Sequence, residues 1–137
     1  MQQKLNTSVA AMVESAKAAI EEVSVEDAIK AMSEDGVLIV DIRDVRERQR
    51  EGYIPGSFHC PRGMVEFWID PESPYYNKKF AEHDRFLFHC AVDWRSALTV
   101  ETINKMGFDG AAHIKGCLLY TSPSPRDATL SRMPSSA

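Results

Sequence analysis

Two short runs in this chain are apolar at every position, Val37-Leu38-Ile39-Val40 and Phe86-Leu87-Phe88. A strand with one wet face alternates apolar and polar residues, whereas a strand covered on both faces has no reason to. The runs therefore predict buried strands of a mostly parallel sheet. Helical patterns lie around them. Ala28, Ile29 and Met32 form the stripe of one helix, opened by the capping pattern Ser24-Val25-Glu26-Asp27 and stopped before Asp35-Gly36. Leu98, Thr102, Ile103 and Met106 share a face of another, with Gly107 placed to close it. Phe58-His59-Cys60 and Ala111-Ala112-His113-Ile114 predict further strands. The expected architecture is an α/β fold of three layers, with about five short strands and helices on both faces.

The second apolar run ends in Cys90, five residues before Arg95, and the helical pattern starts at Ser96. Strand, tight loop and helix N-terminus in that order can aim several backbone N–H groups at one point and make a cup for an anion. A thiol on the rim of such a cup is favoured as thiolate, which is the reactive form. Arg95 adds a fixed cation that can hold an anionic substrate or brace the loop. The competing reading is a small buried cysteine at a strand end, the usual place for a free cysteine. His89 tempts a reading as general base. Neighbours in a strand point to opposite faces, so packing is the expected role.

Other residues extend the site. Asp41 ends the first apolar run, on the edge of the sheet where open α/β folds bind ligands, and Arg43 follows it. A structural ion pair is equally compatible with their positions. Arg62 follows the third strand and is a candidate second anion contact, with a solvent-facing arginine as the rival. Arg46, Arg48 and Arg50 read as a solvated helix face. Tyr75, Tyr76 and Phe80 are expected to pack beside the site or on the surface.

Cys90 to Ser96 resembles the active-site loop of the rhodanese (sulfurtransferase) family, in which Cys, four residues and Arg are often followed by Ser. Related dual-specificity phosphatases of that fold have five residues there, and the shorter loop favours sulfur transfer. Asp41-x-Arg43-x-x-x-Glu47 and Gly52-Tyr53-Ile54-Pro55-Gly56-Ser57 are similar to the family's N-terminal signature, with Tyr53 and Ser57 where His and Ala are common. The resemblance runs over about residues 20–116. It implies a sulfurtransferase in which Cys90 carries a persulfide, the N–H groups of Ala91, Val92, Asp93, Trp94 and Arg95 cradle it, Ser96 and Arg62 complete the site, and Asp41, Arg43 and Glu47 support it. The implied substrates are a small anionic sulfur donor (thiosulfate or a persulfide) and a thiol or cyanide acceptor, or a protein acceptor. Asp93 stands where Gly is common. Asp tolerates left-handed backbone, but a carboxylate beside the cup opposes the thiolate and repels a dianion, so weak use of thiosulfate is expected. Two alternatives stay open: a non-enzymatic rhodanese-like module that binds a protein, and a cysteine-based phosphatase or arsenate reductase of the same fold.

Three layouts of the chain follow. Residues 1–22 carry Val9, Met12, Val13, Ala16 and Ile20 at helical spacing, giving an amphipathic helix over about 7–21. Residues 23–116 are the domain. Residues 117–137, with three prolines and many Ser and Thr, read as a disordered or non-native tail in place of the helix that the family usually adds. The net charge of −4 gives no reason to expect nucleic acid as a partner. No apolar run approaches membrane-spanning length. Three cysteines without metal-like spacing fit a reducing compartment and a metal-free, cofactor-free site, and the cytoplasm is the expected location.

Overall fold

A computed structural model describes residues 2–116, 118–120 and 130–132. Its elements in order are α1 (Val9–Ala19), β1 (Glu22–Val23), α2 (Val25–Ala31), β2 (Val37–Asp41), α3 (Val45–Glu51), β3 (Phe58–His59), α4 (Val65–Ile69), β4 (Arg85–His89), α5 (Trp94–Lys105), β5 (Ala111–Ile114), β6 (Leu118–Tyr120) and β7 (Leu130–Arg132). Single 3₁₀ turns cover Arg62–Met64 and Lys78–Ala81.

Five strands form one sheet in the order β1-β5-β4-β2-β3, and every pairing is parallel. Val37–Asp41 pairs residue for residue with Arg85–His89, so the two apolar runs lie side by side at the centre. Alternate residues then feed two cores. Leu38, Val40, Phe86 and Phe88 face α4 and α5, meeting Val65, Ile69, Val100 and Ile103. Ile39 and Leu87, with Ala112 and Ile114 of β5, face α2 through Val25 and Ala28, and also meet Ile54. Each such large side chain taken fully out of water contributes about 1.5–3 kcal/mol. This covering on both faces is why the runs could dispense with alternation.

β1 is the strand that the sequence reading passed over. It has only two residues, and Glu22 and Val23 pair with His113 and Ile114. The helix α1 lies outside α5, with Val13 and Ala16 against Ala97. Gly110 (φ +89°) lets the chain enter β5 tight against the start of β4, where a Cβ would collide with the Asp84 carbonyl. Phe80 stacks near Phe86, Phe58 and Phe108 at the far end of α5. α5 starts beside Cys90 and has 12 residues, a length of about 18 Å. Phe108, which follows α5, is therefore distant from the thiol, and Tyr75 is exposed.

The expectation for residues 117–137 falls largely outside the described residues. Where that stretch is described, β6 and β7 pair antiparallel as a separate ribbon. Among the described residues no helix follows β5, and no helix is long and apolar enough to cross a membrane.

Candidate active site

The chain leaves β2 outward to β3, returns to β4 on the other side of β2, and continues outward to β5. The strand order therefore reverses between β2 and β4, and open α/β sheets form their ligand crevice beyond the C-terminal ends of strands at such a point. Asp41 and Arg43 come off β2 there, and Cys90 comes off β4.

Cys90 is 2% exposed. The Ser96 N–H points at its Sγ from 3.4 Å, and the Ser96 hydroxyl lies 3.6 Å from the same sulfur. Ser96 is in the first turn of α5, where N–H groups have no carbonyl one turn back. The helix terminus therefore supplies a donor to the sulfur. Asp93 makes the sharp turn into that helix with φ 74°, the single described non-glycine residue in left-handed backbone. Val92 and Trp94 stand exposed on the rim of the loop, while Ala91, Asp93 and Arg95 are half-buried.

Behind the loop is a charged scaffold. Arg43 binds Asp41 through both Nε (3.0 Å) and Nη2 (2.9 Å) and reaches the Gly52 carbonyl. Arg48 adds a bond to the second Asp41 oxygen at 2.9 Å and holds Ser57 through hydroxyl and carbonyl. Burial alone would raise the pKa of Asp41, but hydrogen bonds from Arg43 and the nearby positive charges outweigh it, and the carboxyl is held far below its usual range. The solvated-face reading of Arg48 is thus corrected. Its side chain is 15% exposed and turned inward, because a helix only two turns long places Arg48 over the Asp41 end of β2 while Arg46 and Arg50 stay out.

Glu47 joins this scaffold to the loop. Its two oxygens take both Nη groups of Arg95, at 2.8 and 2.9 Å. It also accepts the Asp44 N–H while Asp44 caps Arg46, closing a capping box around the start of α3. The Asp-x-x-Glu pattern at 44–47 signals that box in the sequence. Hydrogen bonding to Arg95, offset by some burial, lowers the pKa of Glu47, and the same bonds raise that of Arg95. The guanidinium of Arg95 is thereby tied to α3 through Glu47.

Two further charged residues singled out in the sequence are paired with neighbours. The Asp93 carboxylate is 3.0 Å from the Lys17 ammonium and accepts the Gly116 N–H at 2.9 Å. It is turned toward α1 and the end of β5 and neutralised there, so the expected repulsion of an anionic donor loses its basis. Arg62, in the 3₁₀ turn, binds Glu66 of α4 at 2.8 Å. It lies half-exposed in the turn after β3.

His89 is fully enclosed and neither ring nitrogen has a hydrogen-bond partner among the described residues. Burial pushes its pKa down to about 4, against the pull of Asp41 at 3.9 Å. It packs and stays neutral at ordinary pH. The groups that the sequence reading did not single out are His113, which touches Ser96 and Glu22, and Lys17. Their roles depend on strand register and helix packing, which no local pattern encodes.

The model of the Rhodanese-like domain family matches residues 24–121, and the chain belongs to that family. A solved structure from Rhodopseudomonas palustris, of a protein of unknown function described as a possible tyrosine phosphatase, is 47% identical, with a TM-score of 0.81 over 85% of this chain and 90% of that one. The polysulfide-sulfur transferase homodimer of Wolinella succinogenes is 27% identical, with a TM-score of 0.58 over 78% of this chain and 76% of that one. Among curated proteins, the mouse (Mus musculus) thiosulfate sulfurtransferase/rhodanese-like domain-containing protein 3 is 29% identical over 85 residues, 58% of this chain. This chain spans about half the length of that relative, 54%.

Proposed function

We propose that this protein is a sulfurtransferase that carries sulfane sulfur on Cys90. The observation that carries the reading is the nucleophile's setting: a sulfur just past a strand end, with four residues between it and Arg95 and the Ser96 N–H and hydroxyl on it. The Cys90 thiolate attacks the outer sulfur of a donor such as thiosulfate or a persulfide. The donor's S–S bond breaks and its electron pair leaves with sulfite or with a thiolate. An S–S bond to Cys90 forms, and the terminal sulfur carries the negative charge. An acceptor thiolate or cyanide then attacks that outer sulfur and returns Cys90 as thiolate. This is double-displacement covalent catalysis, and preorganised loop N–H groups stabilise the anion at each stage. The Arg95–Glu47 pair keeps the loop in shape, and the exposed Val92 and Trp94 form the rim that a thiol acceptor or an acceptor protein meets.

The test is intact mass after exposure to thiosulfate or to a low-molecular-weight persulfide. Gain of one sulfur atom, removed by a reductant and absent in Cys90→Ser, supports the reading. No gain with either donor in the folded protein defeats it.

The similarity to the Rhodopseudomonas palustris protein favours a second reading, hydrolysis of a phosphate ester by the same cysteine. The four-residue loop argues for the first. Turnover of an aryl phosphate that depends on Cys90, without sulfur loading, would select the second.

A further inference from the structure

His113 is completely buried, yet both its ring nitrogens are engaged. Nε2 is 2.8 Å from the Glu22 carboxylate and Nδ1 is 3.0 Å from the Ser96 hydroxyl. A carboxylate only accepts, so Nε2 carries the proton and Nδ1 is the acceptor. The Ser96 hydroxyl has two acceptors in reach, the Asp93 carbonyl at 3.3 Å and the closer Nδ1 at 3.0 Å; donating to Nδ1, it turns a lone pair to the Cys90 thiol at 3.6 Å. An unbroken line runs from the sulfur through Ser96 and His113 to Glu22. It ends in a surface cleft of about 370 Å³ lined by Lys17, Glu22, Ser24, Asp93 and Lys115 among others. The line exists because β1, only two residues long, sets Glu22 directly beside His113, and because His113 shares its sheet face with Phe88, under the start of α5.

We propose that the His113–Glu22 pair, acting through Ser96, takes up the proton of Cys90 and so holds the nucleophile ionised. The proton passes from Sγ to the Ser96 oxygen as the Ser96 proton passes to Nδ1. Cys90 ends as thiolate, Ser96 as a neutral hydroxyl, and His113 as imidazolium against the Glu22 carboxylate; no electron is transferred. His113 is a positioning residue here, since it reaches the sulfur only through Ser96. The charged groups around it are Cys90 and the Asp93–Lys17 pair on the α5 and α1 side, Glu22 from β1, and Lys115 just beyond β5. With Asp93 matched by Lys17, Glu22 is the one acid among the described residues in direct contact with the imidazole. The idea rests on Cys90 being the nucleophile of the reading above.

The test is the pH profile of Cys90 alkylation by iodoacetamide in the full chain, followed at the peptide level, with circular dichroism confirming the fold. Iodoacetamide reports thiolate without any sulfur donor. Glu22→Gln removes the imidazolium's counter-charge, and the profile is expected to move about one pH unit upward, slowing alkylation about tenfold at neutral pH. His113→Gln should do the same; if it does not fold, Glu22→Gln alone decides. The sign is discriminating, because deleting a negative charge with no relay behind it would ease ionisation and move the profile downward. A downward shift, or none, overturns the proposal. In a Ser96→Ala background the Glu22→Gln shift should vanish, and a shift of full size there overturns the route through Ser96. Sulfur loading is measured separately. An unmoved profile with normal loading defeats the relay alone, and a moved profile without loading defeats the sulfurtransferase reading alone.

Discussion

Two strands run out in His-Cys, β3 at His59-Cys60 and β4 at His89-Cys90, and the two ends differ in nearly everything that bears on reactivity. Both cysteines are buried, 0% and 2% exposed. Cys60 runs into Pro61, which has no N–H, and a 3₁₀ turn in which the Arg62 and Met64 N–H groups are taken by the Ile42 and Pro61 carbonyls. Burial, aided by the Glu66 charge, pushes its thiol up to about 12. Cys90 runs into a loop that starts a 12-residue helix, and that helix returns a backbone N–H and a hydroxyl to the sulfur. The histidines differ in the opposite sense. His59 bonds the Arg43 carbonyl at 2.7 Å, whereas His89 has no partner for either nitrogen among the described residues. A strand end does not make a cysteine useful; the element that follows it does.

The widest separation between the two ends should be in activity. Cys90→Ser is expected to lower sulfur transfer at least about 10³-fold, as removal of a nucleophile does. Cys60→Ala should leave the rate within about twofold and cost about 1–2 kcal/mol of stability through the small cavity left in the core. Steady-state rates and urea titrations of both variants check this. Comparable losses from both would mean that Cys60 takes part in the chemistry.

Next in size is the contrast between the histidines. Folded His89 is neutral down to about pH 4, while the same imidazole in the unfolded chain gains its proton near pH 6.5. Between those values the unfolded state binds more protons, so stability is full above about pH 6.5 and falls as the pH drops toward 4. The decline from this one group amounts to about 3 kcal/mol at most. His89→Phe should flatten the curve across that window, whereas His59→Phe should leave its slope in place. Urea midpoints at several pH values decide it, and a slope unchanged by His89→Phe would assign the acid sensitivity elsewhere.

Much of this was legible in the sequence because it is local. The unalternating runs 37–40 and 86–88 could be satisfied only by a doubly covered sheet, and the spacing from Cys90 to Arg95 with a helix start behind it marked the reactive end. What stayed hidden depends on register. Arg48 and Arg50 look alike in a charged run, and only the docking of α3 over β2 turns Arg48 in toward Asp41. Glu22 lies in a two-residue strand with no pattern of its own, and its meeting with His113 exists only once β1 is paired to β5. The Asp-x-x-Glu box at 44–47 was visible as a pattern, but its second use, gripping Arg95, joins residues 48 positions apart in the chain.

That grip gives the third prediction. Glu47→Gln keeps one acceptor oxygen but loses the charge and the fork-to-fork geometry with Arg95. The loop around Cys90 then has a looser frame. Misplacement of a reacting group is costly, and the expected loss is about tenfold in kcat/KM. The cut falls on the reactive end only. The rate at which Cys60 is alkylated in the folded protein should not change, and a parallel rise there would mean general loosening instead.

The smallest effect expected is at Asp93, where charge and backbone can be separated. Its carboxylate is already committed to Lys17 and to the Gly116 N–H, so a small anion approaching Cys90 does not meet a free negative charge. Asp93→Asn should retain the Gly116 contact and change the KM for thiosulfate by less than about twofold; the partly buried ion pair it removes is worth about 1 kcal/mol or less. Asp93→Gly releases a residue held at φ 74°, a gain of about 1 kcal/mol, and gives up the hydrogen bond to Gly116, a loss of similar size. Its melting temperature should therefore stay near that of the parent. KM values for both variants form the decisive pair: a fall of severalfold in each would mean that the carboxylate does repel the donor, and a fall in Asp93→Gly alone would trace the effect to loop flexibility rather than to charge.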